Sequence, residues 1–85
     1  MNFRVNKAMI DGNNHVHNPA YLDLAAEVLP EGLDTTLFDN LEVSYRREIK
    51  LGETVLLEYI KVGEEHIVFV SDNTDNTLHA DIKLY

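Results

Sequence analysis

The chain has no cysteine and no tryptophan, only 2 prolines, and 7 basic residues against 15 acidic ones. Without cysteine there is no disulfide framework, no thiolate nucleophile and no cysteine-held zinc or iron–sulfur site. The shortage of bases leaves a formal net charge of −8. A body of that sign lacks the basic footprint that nucleic acid or an anionic membrane surface requires. No stretch approaches the ~18 consecutive apolar residues of a membrane span, and the first residues lack the basic-then-apolar layout of a signal peptide. These absences point to a cytoplasmic protein with neither membrane nor nucleic acid among its partners. What is present is ordinary for a globular chain, with 45% hydrophobic and 26% charged residues over 85 positions. That length fits one domain, residues 1–85, which buries only about 60–65% of its unfolded surface and gains from a partner.

The clearest local signal is a helix over about residues 19–29. Asn18 can cap it by accepting from the free amides of the first turn, and Pro19 suits the first helical position. Tyr21, Leu22, Ala25, Ala26 and Leu29 then recur at helical spacing, with Asp23 and Glu27 on the other side, and Pro30 and Gly32 stop the run. Elsewhere the period is two. Residues 3–10, FRVNKAMI, read as a first strand. In residues 41–50, Leu41, Val43, Tyr45, Arg47 and Ile49 face one way and Glu42, Ser44, Arg46, Glu48 and Lys50 the other. TVLLEYIKV, HIVFVS and TLHADIKLY follow, separated by Gly63-Glu64-Glu65 and the Asp72–Asn76 turn cluster. In the last of these, Leu78, Ala80, Ile82 and Leu84 oppose His79, Asp81, Lys83 and Tyr85. The expected fold is α+β: one helix laid across a curled antiparallel sheet of five strands, the last four forming a meander.

Three groupings could carry chemistry. Asp11, Asn13 and His15 stand at i, i+2 and i+4 just ahead of the helix. A helix start offers unpaired amide donors and a positive dipole end, suited to an oxyanion or a thioester carbonyl. Asn can polarise a carbonyl or orient water, His can transfer a proton near neutral pH, and Asp can hold either or attack. The same Asp, Gly and Asn also make an ordinary tight turn. Glu48 is the second candidate; its neighbours Arg46, Arg47 and Lys50 suit it to a base or acceptor role rather than to a general acid. These three bases also form a local positive spot, either a solvated strand edge or a docking point for an acidic partner. The third grouping is His15-Val16-His17, a possible zinc pair with a carboxylate, with His66 and His79 elsewhere; no further ligand stands at a recognisable spacing.

Taken together, DGNNHVHNPAYLDLA and LEVSYRREIKLGE resemble the acyl-ACP thioesterases, in particular their carboxy-terminal half. Asp11, Asn13, His15, Val16 and Asn18 match the first motif, and Tyr45, Arg46, Arg47 and Glu48 the second. The resemblance implies a hotdog fold and release of free fatty acid from acyl-ACP in fatty acid biosynthesis, with no cofactor and no metal. It implies catalytic roles for Asp11, Asn13, His15 and Glu48, with His17, Asn18, Arg46 and Arg47 on the substrate side. His17 stands where the family has an asparagine, a departure that touches the shape of the site. Family members carry two hotdog halves in one chain, so the resemblance implies a homodimer or pairing with a second hotdog half. Acyl-CoA hydrolysis, or a non-catalytic module that binds acyl groups or mediates association, are the alternatives on the same fold.

Overall fold

The structure, a computed structural model, describes residues 1–9 and 18–85, without the side chains of Ala8, Asn18 and Pro19. Its strands are β1 (Asn2–Arg4), β2 (Leu41–Tyr45), β3 (Thr54–Val62), β4 (Glu65–Asp72) and β5 (Leu78–Leu84), with the helix α1 (Asn18–Val28) between β1 and β2. They form a five-stranded sheet in the order β1-β3-β4-β5-β2, antiparallel at every pairing. No helix among the described residues is long and apolar enough to cross a membrane.

Alternation builds the core. Val55 and Leu57 of β3, Val68 and Val70 of β4, and Ala80, Ile82 and Leu84 of β5 are buried at every second position. α1 covers this face, lying against β3 and β5. The buried stripe of α1 is Ala20, Tyr21, Leu24 and Ala25, whereas Ala26 is exposed, so the helix is rolled away from the expected face centred on Tyr21, Leu22, Ala25, Ala26 and Leu29. The roll is physically sensible: it puts Leu24, a large side chain, in the centre of the contact and leaves a methyl group outside. Each such aliphatic side chain contributes about 1.5–3 kcal/mol on full burial.

Three expectations are corrected. The first strand stops at Arg4, and Lys7–Met9 is a turn of 3-10 helix in which the Met9 amide donates to Asn6 O at 3.1 Å. Val5 and Met9 both enter the core, Met9 from the 3-10 turn rather than from a continued strand. The second motif strand stops at Tyr45, leaving Arg46–Glu48 outside regular structure. Finally, β2 is not the first strand of the meander. It pairs with β5, from Leu41↔Leu84 to Tyr45↔Ala80, so the meander is β3-β4-β5 and the segment 46–53 crosses from one side of the sheet to β3. Ile49 is the fully buried anchor of that crossing, while Leu41 and Tyr45 are exposed.

The cause lies in β5. Its register against β4 runs Val70↔Ala80 and then Ser71↔Leu78, leaving His79 without an opposite residue. This extra residue is a β-bulge, which kinks a strand and re-aims its side chain. His79 is therefore fully buried, where strict alternation had set it on the polar side. Its carbonyl accepts from both Arg46 N (2.8 Å) and Arg47 N (3.0 Å). With two consecutive amides on one oxygen, the β2 ladder cannot continue.

Turns close the sheet with suitable residues. Gly63, at φ +60°, occupies the first position of the two-residue β3–β4 loop, where L side chains are strained. Asp72 Oδ1 accepts from Thr74 N (2.7 Å) and Asp75 N (3.1 Å) in the β4–β5 turn.

Truncating Ile82 to alanine is expected to cost about 2–5 kcal/mol in urea unfolding, because its cavity is walled on all sides; Ile60→Ala, on the open side, costs under about 1 kcal/mol. Acid also has a defined effect. Hydrogen bonds from Thr36 N to Asp34 and from Thr77 N to Asp75 hold both carboxyls below their ordinary value of 3.8. The native state thus prefers the ionised forms, so their contribution is present above that value and is lost as pH falls below it. Unfolding midpoints measured from neutral to strongly acid pH are expected to fall on that limb, less steeply in the Asp34→Asn/Asp75→Asn double variant.

Candidate active site

Of the expected site residues, Asp11, Asn13, His15 and His17 lie outside the described residues, and Asn18 opens α1. Glu48 is exposed on the 46–53 connection, not on a strand, with Lys50 Nζ 3.8 Å from its Oε1. Arg47 turns to Asp75 at 3.6 Å rather than to Glu48. Such exposed pairs contribute about 0–1 kcal/mol, so they orient the side chains loosely.

The backbone that carries Glu48 is held far more firmly. On one side it hangs from His79, whose carbonyl takes Arg46 N and Arg47 N and whose ring Nδ1 lies 3.2 Å from Arg47 O. On the other side, Glu53 Oε1 accepts from Lys50 N (3.3 Å), and Glu53 N donates to Lys50 O (3.2 Å). Ile49 is sunk into the core directly after Glu48. Exposure of the carboxylate on a pinned backbone is the arrangement a reacting group needs: accessible, with little freedom to wander.

The start of α1 is joined to the same region. Tyr21, one turn into the helix, meets the ring of Tyr45 edge-on at a centroid distance of 5.2 Å. Tyr45 is the last residue of β2, immediately before Arg46. The start of α1 and the end of β2 thus meet through an aromatic contact between Tyr21 and Tyr45. Burial, with a smaller effect from Tyr45, pushes the Tyr21 phenol up to about 12. Tyr21 therefore stays neutral and supports packing rather than acid–base work.

A second cluster, invisible in the residue pattern, lies beside this connection. Glu53, Asp72, read as part of the turn cluster, and His79, set on a polar face, converge with ligating atoms all within 4.8 Å of one another. Only the bulge brings them together, and a bulge leaves no mark in an alternating pattern.

One helix on a five-stranded antiparallel sheet, with a helix start set against a motif-bearing strand, is the architecture of the hotdog thioesterases. The profile of the acyl-ACP thioesterase C-terminal domain matches residues 1–83, and the chain belongs to that family. Among solved structures, an acyl-ACP thioesterase from Bacteroides thetaiotaomicron superposes with a TM-score of 0.80 at 20% identity, over 99% of this chain and 35% of that one. This chain thus spans about a third of the length of that enzyme. A 1,4-dihydroxy-2-naphthoyl-CoA thioesterase from Synechocystis follows at TM-score 0.74 and 14% identity, covering 99% of this chain and 76% of the other. The zebrafish thioesterase superfamily member 2 gives 0.72 at 14% identity, over 98% and 68% of the two chains. These likenesses establish the shared fold. No curated protein sequence matches the chain.

The Tyr21–Tyr45 contact is open to a double-mutant cycle with leucine at each position. Edge-to-face rings are expected to give a coupling energy of about 0.5–1.5 kcal/mol in urea unfolding. A coupling of zero would show that the helix start and the β2 end are not joined there.

Proposed function

We propose that the chain, as one hotdog domain over residues 1–85, hydrolyses the thioester of fatty acyl-ACP, with Asp11, Asn13, His15 and Glu48 as its reacting groups. The observation that carries this reading is Glu48: an exposed carboxylate on a connection fastened at both ends, which leaves β2 at Tyr45, the residue that Tyr21 of the helix contacts. The family membership supplies the reaction class.

In this reading Glu48 and His15 activate a water, whose oxygen adds to the acyl carbon. Asn13 holds the thioester carbonyl, Asp11 orients the attacking group or attacks in its place, and amides at the start of α1 stabilise the oxyanion. The carbon–sulfur bond then breaks, and the thiolate leaves with a proton returned from the base. His17 and Asn18 shape the site. Arg46, Arg47 and Lys50 receive the acidic carrier; the weak pairs of Arg47 with Asp75 and of Lys50 with Glu48 are readily exchanged for carboxylates of a partner. Against a net charge of −8, that docking is a local event rather than long-range attraction. A homodimer or a second hotdog half completes the acyl pocket.

An acyl-CoA substrate is the second reading, favoured by the likeness to a CoA thioesterase of which this chain covers 76%. Purified protein offered acyl-ACP and acyl-CoA is expected to turn over acyl-ACP faster, and His15→Ala and Glu48→Ala each to lower the rate by about 10²–10⁴-fold. Faster turnover of acyl-CoA would transfer the assignment to the second reading. Equal background rates for all three proteins would sink the enzyme claim, and bound acyl ligand without turnover would make the chain a binding module.

A further inference from the structure

His79 carries a polar atom that the fold buries and leaves without a hydrogen bond. Its ring is fully buried, and Nε2 has no hydrogen-bond partner among the described residues. Nδ1 lies 3.2 Å from Arg47 O. A carbonyl oxygen only accepts, so the proton of that bond sits on Nδ1, and Nε2 of the neutral ring presents a lone pair. That lone pair faces Glu53 Oε2 at 3.6 Å and Asp72 Oδ2 at 3.8 Å. Three electron-rich atoms pointed at one another, one of them fully buried, call for a cation between them.

We propose that Glu53, Asp72 and His79 bind a first-row divalent cation, with zinc as the natural probe for one imidazole and two carboxylates. A proton on Nε2 is the rival cation, and the distances argue against it. A charge-assisted N–H···O bond is ~2.7–2.9 Å long, well short of both separations, and one N–H can address only one of the two carboxylates. Two ligands at zinc's ~2.1 Å bond length on tetrahedral directions lie ~3.4 Å apart, within a few tenths of an ångström of both; all three ligating atoms lie within 4.8 Å of one another, and a bound ion would draw the two carboxylates together. A divalent ion also cancels the two carboxylate charges, which a single proton does not.

The remaining atoms of the three side chains are already held as ligands require. Glu53 Oε1 accepts from Lys50 N, Asp72 Oδ1 accepts from Thr74 N and Asp75 N, and His79 Nδ1 donates to Arg47 O. Each outer bond fixes one polar atom and leaves the other turned inward, the usual arrangement behind a metal ligand. Access is provided from the carboxylate side, since the Glu53 and Asp72 side chains are 30% and 17% exposed while His79 is closed off. A cation at this point would tie β4, β5 and the connection bearing Glu48 into one unit. The three ligands share no residue with the groups proposed for hydrolysis, Asp11, Asn13, His15 and Glu48.

The test uses the full 85-residue chain, stripped with a chelator and titrated with Zn²⁺ by calorimetry and with Co²⁺ by visible absorption. Expected are one equivalent bound, a Co²⁺ ligand-field band, and a Zn²⁺-induced shift of the His79 ring resonances. Asp72→Asn keeps the oxygen that the β4–β5 turn uses, and Glu53→Gln alters a partly exposed side chain, so both variants fold. Each is expected to weaken binding by at least about 10-fold. A variant with His15→Ala and His17→Ala should bind as the parent does. No uptake at millimolar Zn²⁺, or affinity unchanged in Asp72→Asn and Glu53→Gln, would overturn the proposal. So would loss of binding in the His15→Ala/His17→Ala variant alone.

Discussion

The carbonyl of His79 holds the architecture at its most unusual point. By accepting from Arg46 N and Arg47 N at once, it ends β2 and turns the chain out of the sheet. Everything distinctive about the motif region follows from this. Glu48 leaves regular structure because the strand has stopped, Ile49 drops into the core, and the connection can cross to β3 because it is no longer laddered to β5. The residue that supplies this oxygen is the surplus residue of the bulge, with no opposite residue on β4. A bulge is often an interruption of a sheet; here it is the hinge on which an exposed carboxylate is hung.

Much of the fold can be read from particular residues. Pro19 at the helix start and Pro30 and Gly32 beyond its end confine α1 to within a residue of where it lies, and β3, β4 and β5 coincide with alternating runs separated by Gly63 and the Asp72–Asn76 cluster. The partner of β2 is not readable in this way. Period-two alternation says which face a side chain takes but not which strand lies alongside, and both β3 and β5 offer compatible apolar faces. The bulge is hidden for a related reason: LHADIKLY alternates without a fault, and only the pairing with β4 shows that one residue is surplus. For the candidate site, Glu48 is proposed from the motif, whereas its removal from a strand is not legible there, because that depends on hydrogen bonds to a residue 31 positions later. Asp11, Asn13 and His15 rest on the sequence alone.

Electrostatics divides the few cations carefully across an acidic surface. Lys83 lies 3.1 Å from Glu65 and 3.9 Å from Glu42, linking β4, β5 and β2 through one ammonium, and its hydrogen bond to Glu65 raises its affinity for the proton. Tyr85, just after β5, donates a 2.7 Å bond to Glu42 of β2. The β2 edge is thereby fastened at its start by Lys83 and Tyr85 and at its end by His79 and Tyr21. These fastenings hold the edge even though Leu41 and Tyr45, at its two ends, are exposed.

The pairing of β2 with β5 also sets an order of events. Leu41 registers with Leu84, so the strand bearing the second motif must wait for the last strand of the sheet before it has anything to ladder to. The β3-β4-β5 hairpins close through short loops and can form among themselves, whereas β2 requires a loop of about 40 residues to be closed, at a higher entropic cost. During synthesis from the amino terminus, the connection carrying Glu48 emerges early yet has no fixed place until β5 has left the ribosome. Assembly of the candidate site is therefore a readout of completed folding: a chain halted before β5 has all of the motif residues and none of the frame that aligns them.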